Sequence, residues 1–191
     1  MKTAIKTELI EDILAIAALA SGIQKKYYKD LLDEAEPVKM VSIKDVFSRE
    51  EINKIKRLVK PKKKMCYRNA HLLTTLFPDK VKYVDGRVLV TNIGIPIDHA
   101  FNRVGDKYVD ITFEMVWNED TTKYEYIKFG EYDSEQVEEI AEQSGIWGEC
   151  YKFQWMKENN CGKILWTKNK TLILHYQTRD NPKTDPADTG N

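Results

Sequence analysis

Ile97-Asp98-His99-Ala100-Phe101-Asn102-Arg103-Val104-Gly105-Asp106-Lys107-Tyr108-Val109-Asp110-Ile111-Thr112 reads as two strands joined at Gly105-Asp106. A glycine-first pair between such runs predicts a two-residue type II′ hairpin, because glycine supplies the positive φ of the first turn position. Pairing Val104 with Lys107 sets the register and places Phe101 opposite Asp110 and His99 opposite Thr112. His99 and Asp110 then share one face as diagonal neighbours, roughly 7–8 Å apart at the backbone, within reach for an imidazole and a carboxylate. The opposite face carries Ala100, Val104, Val109 and Ile111, which suits a packed core. A four-residue loop keeps this register, whereas a three-residue loop shifts it by one and separates the two side chains.

Upstream, Lys62-Lys63-Lys64-Met65 leads to Cys66, and Ala70, Leu73, Leu76 and Phe77 continue an apolar helical stripe until Pro78 stops it. A cysteine in the first turn feels the positive end of the helix dipole and the unpaired amides there, both of which stabilise a thiolate. Its own N–H can also face an oxyanion. Asn69 either donates to that oxyanion or bonds the chain entering the helix, the second being the favoured reading. Cysteine, histidine and aspartate in this order supply a nucleophile, a base and a group that holds the base in one tautomer.

Several segments carry a resemblance. They are Cys66-Tyr67-Arg68-Asn69-Ala70, Tyr83-Val84-Asp85-Gly86, Pro96-Ile97-Asp98-His99-Ala100-Phe101 and Val109-Asp110-Ile111-Thr112, followed by Tyr126-Ile127-Lys128-Phe129 and Gly145-Ile146-Trp147-Gly148. Together they resemble a group of small bacterial and bacteriophage proteins with a transglutaminase-like or papain-like core, over roughly residues 65–150. The resemblance implies that Cys66, His99 and Asp110 form the triad of a cysteine hydrolase. Phe101 stands where tryptophan is common in that group. No glutamine stands shortly before Cys66, as it does in papain, so the second oxyanion donor is unassigned.

A chain of 191 residues, 42% hydrophobic and 31% charged, has the composition of a soluble globular protein with one ample core. Thirty basic and thirty acidic residues cancel, so no global field draws the chain to nucleic acid or anionic membranes. The three cysteines, Cys66, Cys150 and Cys161, argue for a reducing compartment. The apolar stretch Ile13 to Ile23 follows Glu8, Glu11 and Asp12 and is too short to span a bilayer, so the expected location is cytoplasmic, with no membrane partner.

Residues 7–35 read as one amphipathic helix with Ile10, Ile13, Leu14, Ala17, Ala20, Tyr27 and Leu31 on one side. Ser48 and Glu51 form a capping box, Phe47 and Ile52 a hydrophobic staple, and Ile52, Ile55 and Val59 of the helix they open point inward. Strands are expected over Val81 to Val90, Ile97 to Val104, Lys107 to Thr112 and Lys123 to Phe129. Asp133 with Gln136 caps a helix that ends at Gly145, and Cys150 to Met156, Lys163 to Trp166 and Leu172 to Gln177 read as late strands. This gives an α+β, papain-like architecture with a nucleophile helix on an antiparallel sheet. An N-terminal helical region covers 1–64, the catalytic core 65–177, and a disordered tail 178–191.

Other groups have plainer readings. His71, five positions after Cys66, lies about 140° around the helix from it and is structural. His175 reads as a packed or surface residue. Cys150 and Cys161 lack the close spacing that nucleates a zinc site, so no metal and no organic cofactor is expected. Lys60 to Lys64 reads as a solvated loop, so nucleic-acid binding is unlikely on charge grounds. Trp147, between glycines, is the candidate substrate-lining aromatic.

The expected function is a cysteine hydrolase acting on an amide, thioester or related acyl bond of a protein or small acyl substrate. An amine outcompeting water would make the same triad an acyltransferase. The rival of a different class is a papain-like binding module that recognises or inhibits a host protein with its chemistry unused.

Overall fold

The turn at Gly105-Asp106 sets the register of the sheet. In the computed structural model, which describes residues 7–90, 94–145, 147–161, 165–166 and 172–173, Val104 pairs with Lys107, Arg103 with Tyr108 and Asn102 with Val109. Gly105 takes φ +62° while Asp106 does not enter the positive region, as a type II′ turn requires. The hairpin strands β3 (Ile95–Val104) and β4 (Lys107–Val109) join β1 (Glu36–Val38), β2 (Val81–Val90) and β5 (Glu125–Tyr132) in one antiparallel sheet of order β1-β5-β2-β3-β4.

The sheet curls until its two edges meet. Met40, just past β1, bridges Tyr108 of β4, and the Val41 N–H donates to the Tyr108 carbonyl at 2.9 Å. The concave side is filled by Met40, Val84, Val88, Val90, Phe101 and Tyr126. Near the hairpin turn, Lys128 pairs with Glu131 at 2.7 Å and with Glu36 at 3.1 Å, while Tyr108 donates to Glu131 at 2.8 Å. Arg103 also pairs with Glu131, so one charged network ties β1, β3, β4 and β5 together.

Helices cover the convex side. Leu9 and Ile13 of α1 (Glu8–Leu19), Tyr27 and Leu31 of α2 (Gly22–Glu34) and Trp155 and Met156 of α6 (Cys150–Glu158) pack on Leu89 and Ile127. Ile55 of α3 (Arg49–Leu58) and Leu73 of α4 (Cys66–Leu76) pack with Val81, Val104 and Val109. Val137 and Ile140 of α5 (Ser134–Ser144) pack with Tyr83, Ala100 and Tyr132. The capping boxes of Ser48 with Glu51 and of Asp133 with Gln136 are both formed, and Gly145 closes α5 at φ 74°.

Four expectations are corrected. The span 7–35 is two helices, because Ala20 and Ser21 are extended and Gly22 turns the chain at φ +54°. Cys150 to Met156 is helical: Cys150, Phe153 and Met156 are buried at a spacing of three, which outweighs the apparent alternation of Tyr151, Phe153 and Trp155. The strand expected over Lys107 to Thr112 stops at Val109, and Ile111 begins a helical turn that runs as a π-helix through Phe113–Trp117. The strand expected from Lys123 begins at Glu125 and continues to Tyr132. The N-terminal 64 residues supply β1 as well as helices. Late strands form at Leu165–Trp166 (β6) and Leu172–Ile173 (β7), while His175 and the 178–191 tail lie outside the described residues. Among the described residues no helix is long and apolar enough to cross a membrane.

The curl depends on a close approach at Gly86, where β2 bulges against β5. A Cβ there would collide with the Ile127 carbonyl and stand 2.9 Å from the Phe101 ring. Gly86→Ala should therefore lower the unfolding free energy by about 1–3 kcal/mol, read as an earlier urea midpoint at unchanged slope.

Candidate active site

The chain reaches α4 through a loop in which Lys64 takes φ 59°, and Met65 at the N-cap makes no side-chain cap bond. Asn69 fastens this loop from within. Its Oδ1 accepts from the Lys62 N–H at 3.0 Å, and its Nδ2 donates to the Lys62 carbonyl at 2.8 Å and to Thr112 Oγ1 at 3.1 Å. Of the two roles open to Asn69, the side chain takes the one that bonds the chain entering the helix. Cys66, one turn earlier, is half-buried at the start of α4.

His99 lies on β3 on the same face as Phe101. Its Nε2 is 2.6 Å from Asp110 Oδ2, with His99 and Asp110 exposed by only 3% and 1%. This bond leaves Nδ1 as the ring nitrogen open to Cys66, which lies close enough for thiol and imidazole to shift each other's protonation. The Ala100 N–H, on the part of β3 lying beyond the end of β4, is near enough to lower the thiol as well. Cys66, His99 and Asp110, expected together as a triad, are thus neighbours in space.

Asp110 explains why β4 stops where it does. Its Oδ1 accepts from the N–H groups of Thr112 and Phe113 at 2.8 and 3.1 Å, capping the helical turn that follows. Its Oδ2 accepts from His99 and from the Tyr126 hydroxyl at 3.0 Å. Thr112 does not face His99 across a ladder; it joins Asn69 instead. The Phe113 ring lies 5.0 Å from the His99 ring and walls it on one side.

Burial alone would raise the Cys66 thiol. The positive charge of His99 and the hydrogen bonds from its ring and from Ala100 outweigh it, so the thiol is held below its ordinary value. Burial alone would lower His99, but the negative charges of Asp110 and Cys66 and the bonds to both raise it. Each charge therefore favours the other, a thiolate beside an imidazolium. Burial first, and the Asp110 charge second, push Tyr126 well above the usual phenol range, which keeps its hydroxyl protonated as a donor.

The remaining predicted residues lie nearby but not at the sulfur. Trp147 is exposed, stands over the Arg68 guanidinium at 5.7 Å and lies 6.2 Å from the His71 ring. It lines a small cavity with Tyr67 and His71. His71 is buried, and burial lowers it, against Glu138, so its imidazole is neutral. Lys63 rests on the Trp117 ring at 4.6 Å, beside the loop leading to Cys66. Among the described residues, no group of three or more His, Cys, Asp or Glu side chains is placed to hold a metal ion.

Comparisons with protein-family models, with curated proteins and with solved structures returned no match. The geometry stands by itself. Sequence reasoning missed Tyr126, Phe113 and the Ala100 amide. The run Asp110-Ile111-Thr112 carried a signal for the cap, since an aspartate two residues before a threonine is a common start to a helical turn. Nothing local marked Tyr126.

Iodoacetamide should label Cys66 at pH values that leave Cys150 and Cys161 unmodified, because burial raises both of those thiols. His99→Ala should remove the preference, which peptide mass spectrometry across a pH series will read.

Proposed function

We propose that the protein is a cysteine hydrolase acting on an amide, thioester or related acyl bond through a thioester acyl-enzyme. The observation that carries this reading is the meeting of a partly buried cysteine with a buried imidazole whose far nitrogen is bonded to a buried carboxylate. A structural cysteine needs none of those partners, whereas nucleophilic catalysis needs all of them.

The Cys66 thiolate attacks the acyl carbon, and the carbonyl oxygen becomes an oxyanion facing the Cys66 N–H at the uncapped start of α4. The His99 imidazolium gives its Nδ1 proton to the leaving group, the carbon–leaving group bond breaks, and the acyl group stays on sulfur as a thioester. Neutral His99 then takes a proton from water, whose oxygen attacks the thioester. The tetrahedral adduct collapses with release of the acid, restoring thiolate and imidazolium. Asp110 keeps the proton on Nε2 and offsets the imidazolium charge throughout. An amine in place of water gives acyl transfer by the same steps.

The test is hydrolysis of a panel of activated thioesters and peptidyl amidocoumarins. Cys66→Ala should abolish turnover, and Asp110→Asn should lower kcat by about 10²–10⁴-fold. The rate should rise with pH as Cys66 ionises below the ordinary thiol value and fall only above the ordinary imidazole value, where His99 loses its proton. Turnover that survives Cys66→Ala would refute the reading.

A further inference from the structure

A cavity of about 40 Å³ lies beside the nucleophile on the convex side of the sheet. Tyr67, the neighbour of Cys66, forms one wall, and Asp98 and Gly86, the neighbour and the cross-strand partner of His99, form another. Tyr27, Phe129 and Tyr151 supply ring surfaces around it. A single water needs about 10–15 Å³ on this measure, so the space admits a small head group.

The cavity holds a carboxyl group without a cation. Asp85, on β2 at the bulge, is only 4% exposed. It accepts from the Tyr151 N–H at 2.7 Å, a neutral donor, while the Tyr83 hydroxyl 3.3 Å away has a nearer acceptor for its single proton in the Gly148 carbonyl at 2.9 Å. The two cations on the cavity wall are engaged elsewhere: Arg87 with Asp98 at 2.6 Å and Asp12 at 2.9 Å, Lys152 with Glu149 at 3.0 Å. Burial is the main influence on Asp85 and lifts it to about 8. An amide side chain could accept the Tyr151 bond without the cost of burying an acid, so the acid calls for a partner the chain itself does not supply.

We propose that this cavity is a substrate subsite for an alkylammonium head group, the charged end of a lysine-like side chain adjoining the acyl group that Cys66 attacks. Asp85 is its counter-ion, and the tyrosine and phenylalanine rings offer their negative faces to the same charge. The inference rests on the reading of Cys66 as a nucleophile.

The full chain is treated with two blocked chloromethyl ketones, acetyl-lysyl and acetyl-norleucyl, which differ in side-chain charge at nearly equal length. The thiolate displaces chloride from each and forms a thioether at Cys66, and each rate is divided by the iodoacetamide rate of the same protein. The lysyl reagent should be faster by about tenfold, and Asp85→Asn, which retains an acceptor for the Tyr151 N–H, should bring the ratio near one. On the unmutated protein, n-butylammonium should slow the norleucyl reagent while n-butanol does not, a measurement independent of whether the variant folds. Equal rates for the two ketones, or equal effects of the two butyl compounds, would overturn the subsite. Loss of preferential iodoacetamide labelling would instead overturn the nucleophile, so the two failures are distinguishable.

Discussion

Asp110 couples the fold to the chemistry because its two oxygens serve different parts of the chain. Oδ1 gathers the amides of Thr112 and Phe113, and in doing so ends β4 and starts a helical turn. Oδ2 gathers His99 and Tyr126. A buried carboxylate is costly unless donors surround it, and here four do. The departure of the chain at Asp110 also frees the β3 edge at Ala100, which is where the Cys66 sulfur finds an amide. Orientation of the imidazole and the amide offered to Cys66 thus follow from a single strand ending.

The electrostatics of the three groups follow from their order in space. An imidazole between a sulfur and a carboxylate is stabilised as a cation from both sides, and the sulfur is stabilised as an anion by that cation against the cost of its burial. The two protonation events belong to the pair rather than to either residue alone. Asn69 adds rigidity by holding Lys62 and Thr112 to α4.

Local signals made much of this legible before any coordinates. Gly105-Asp106 fixed a turn whose type dictates pairing, and the period of two along the hairpin then put His99 and Asp110 on one face. Cap chemistry marked the helix starts at Ser48 and Asp133. Tyr126 stayed hidden because its contact with Asp110 depends on how far the sheet curls, a property of the bulge at Gly86 and the Met40–Tyr108 bridge rather than of any one segment. The break after Leu19 was masked by an apolar stripe that runs across it, and α6 by aromatics that satisfy both helical and alternating spacing. Asp85 appeared only as part of a motif; its isolation from cations emerges from the pairs that Arg87 makes with Asp12 and Asp98 and Lys152 makes with Glu149.

The seating of β1 against β5 governs when this molecule can be finished. Glu36 must wait for Lys128, and Asp110 for Tyr126, so a chain leaving the ribosome carries its early helices and a half-built sheet with an unpaired edge. Only after Tyr132 has emerged can the last strand close that edge and complete the shell around the carboxylate. Assembly order thereby leaves the buried carboxylate to gather its full set of donors late, once every strand of the five-stranded sheet is available.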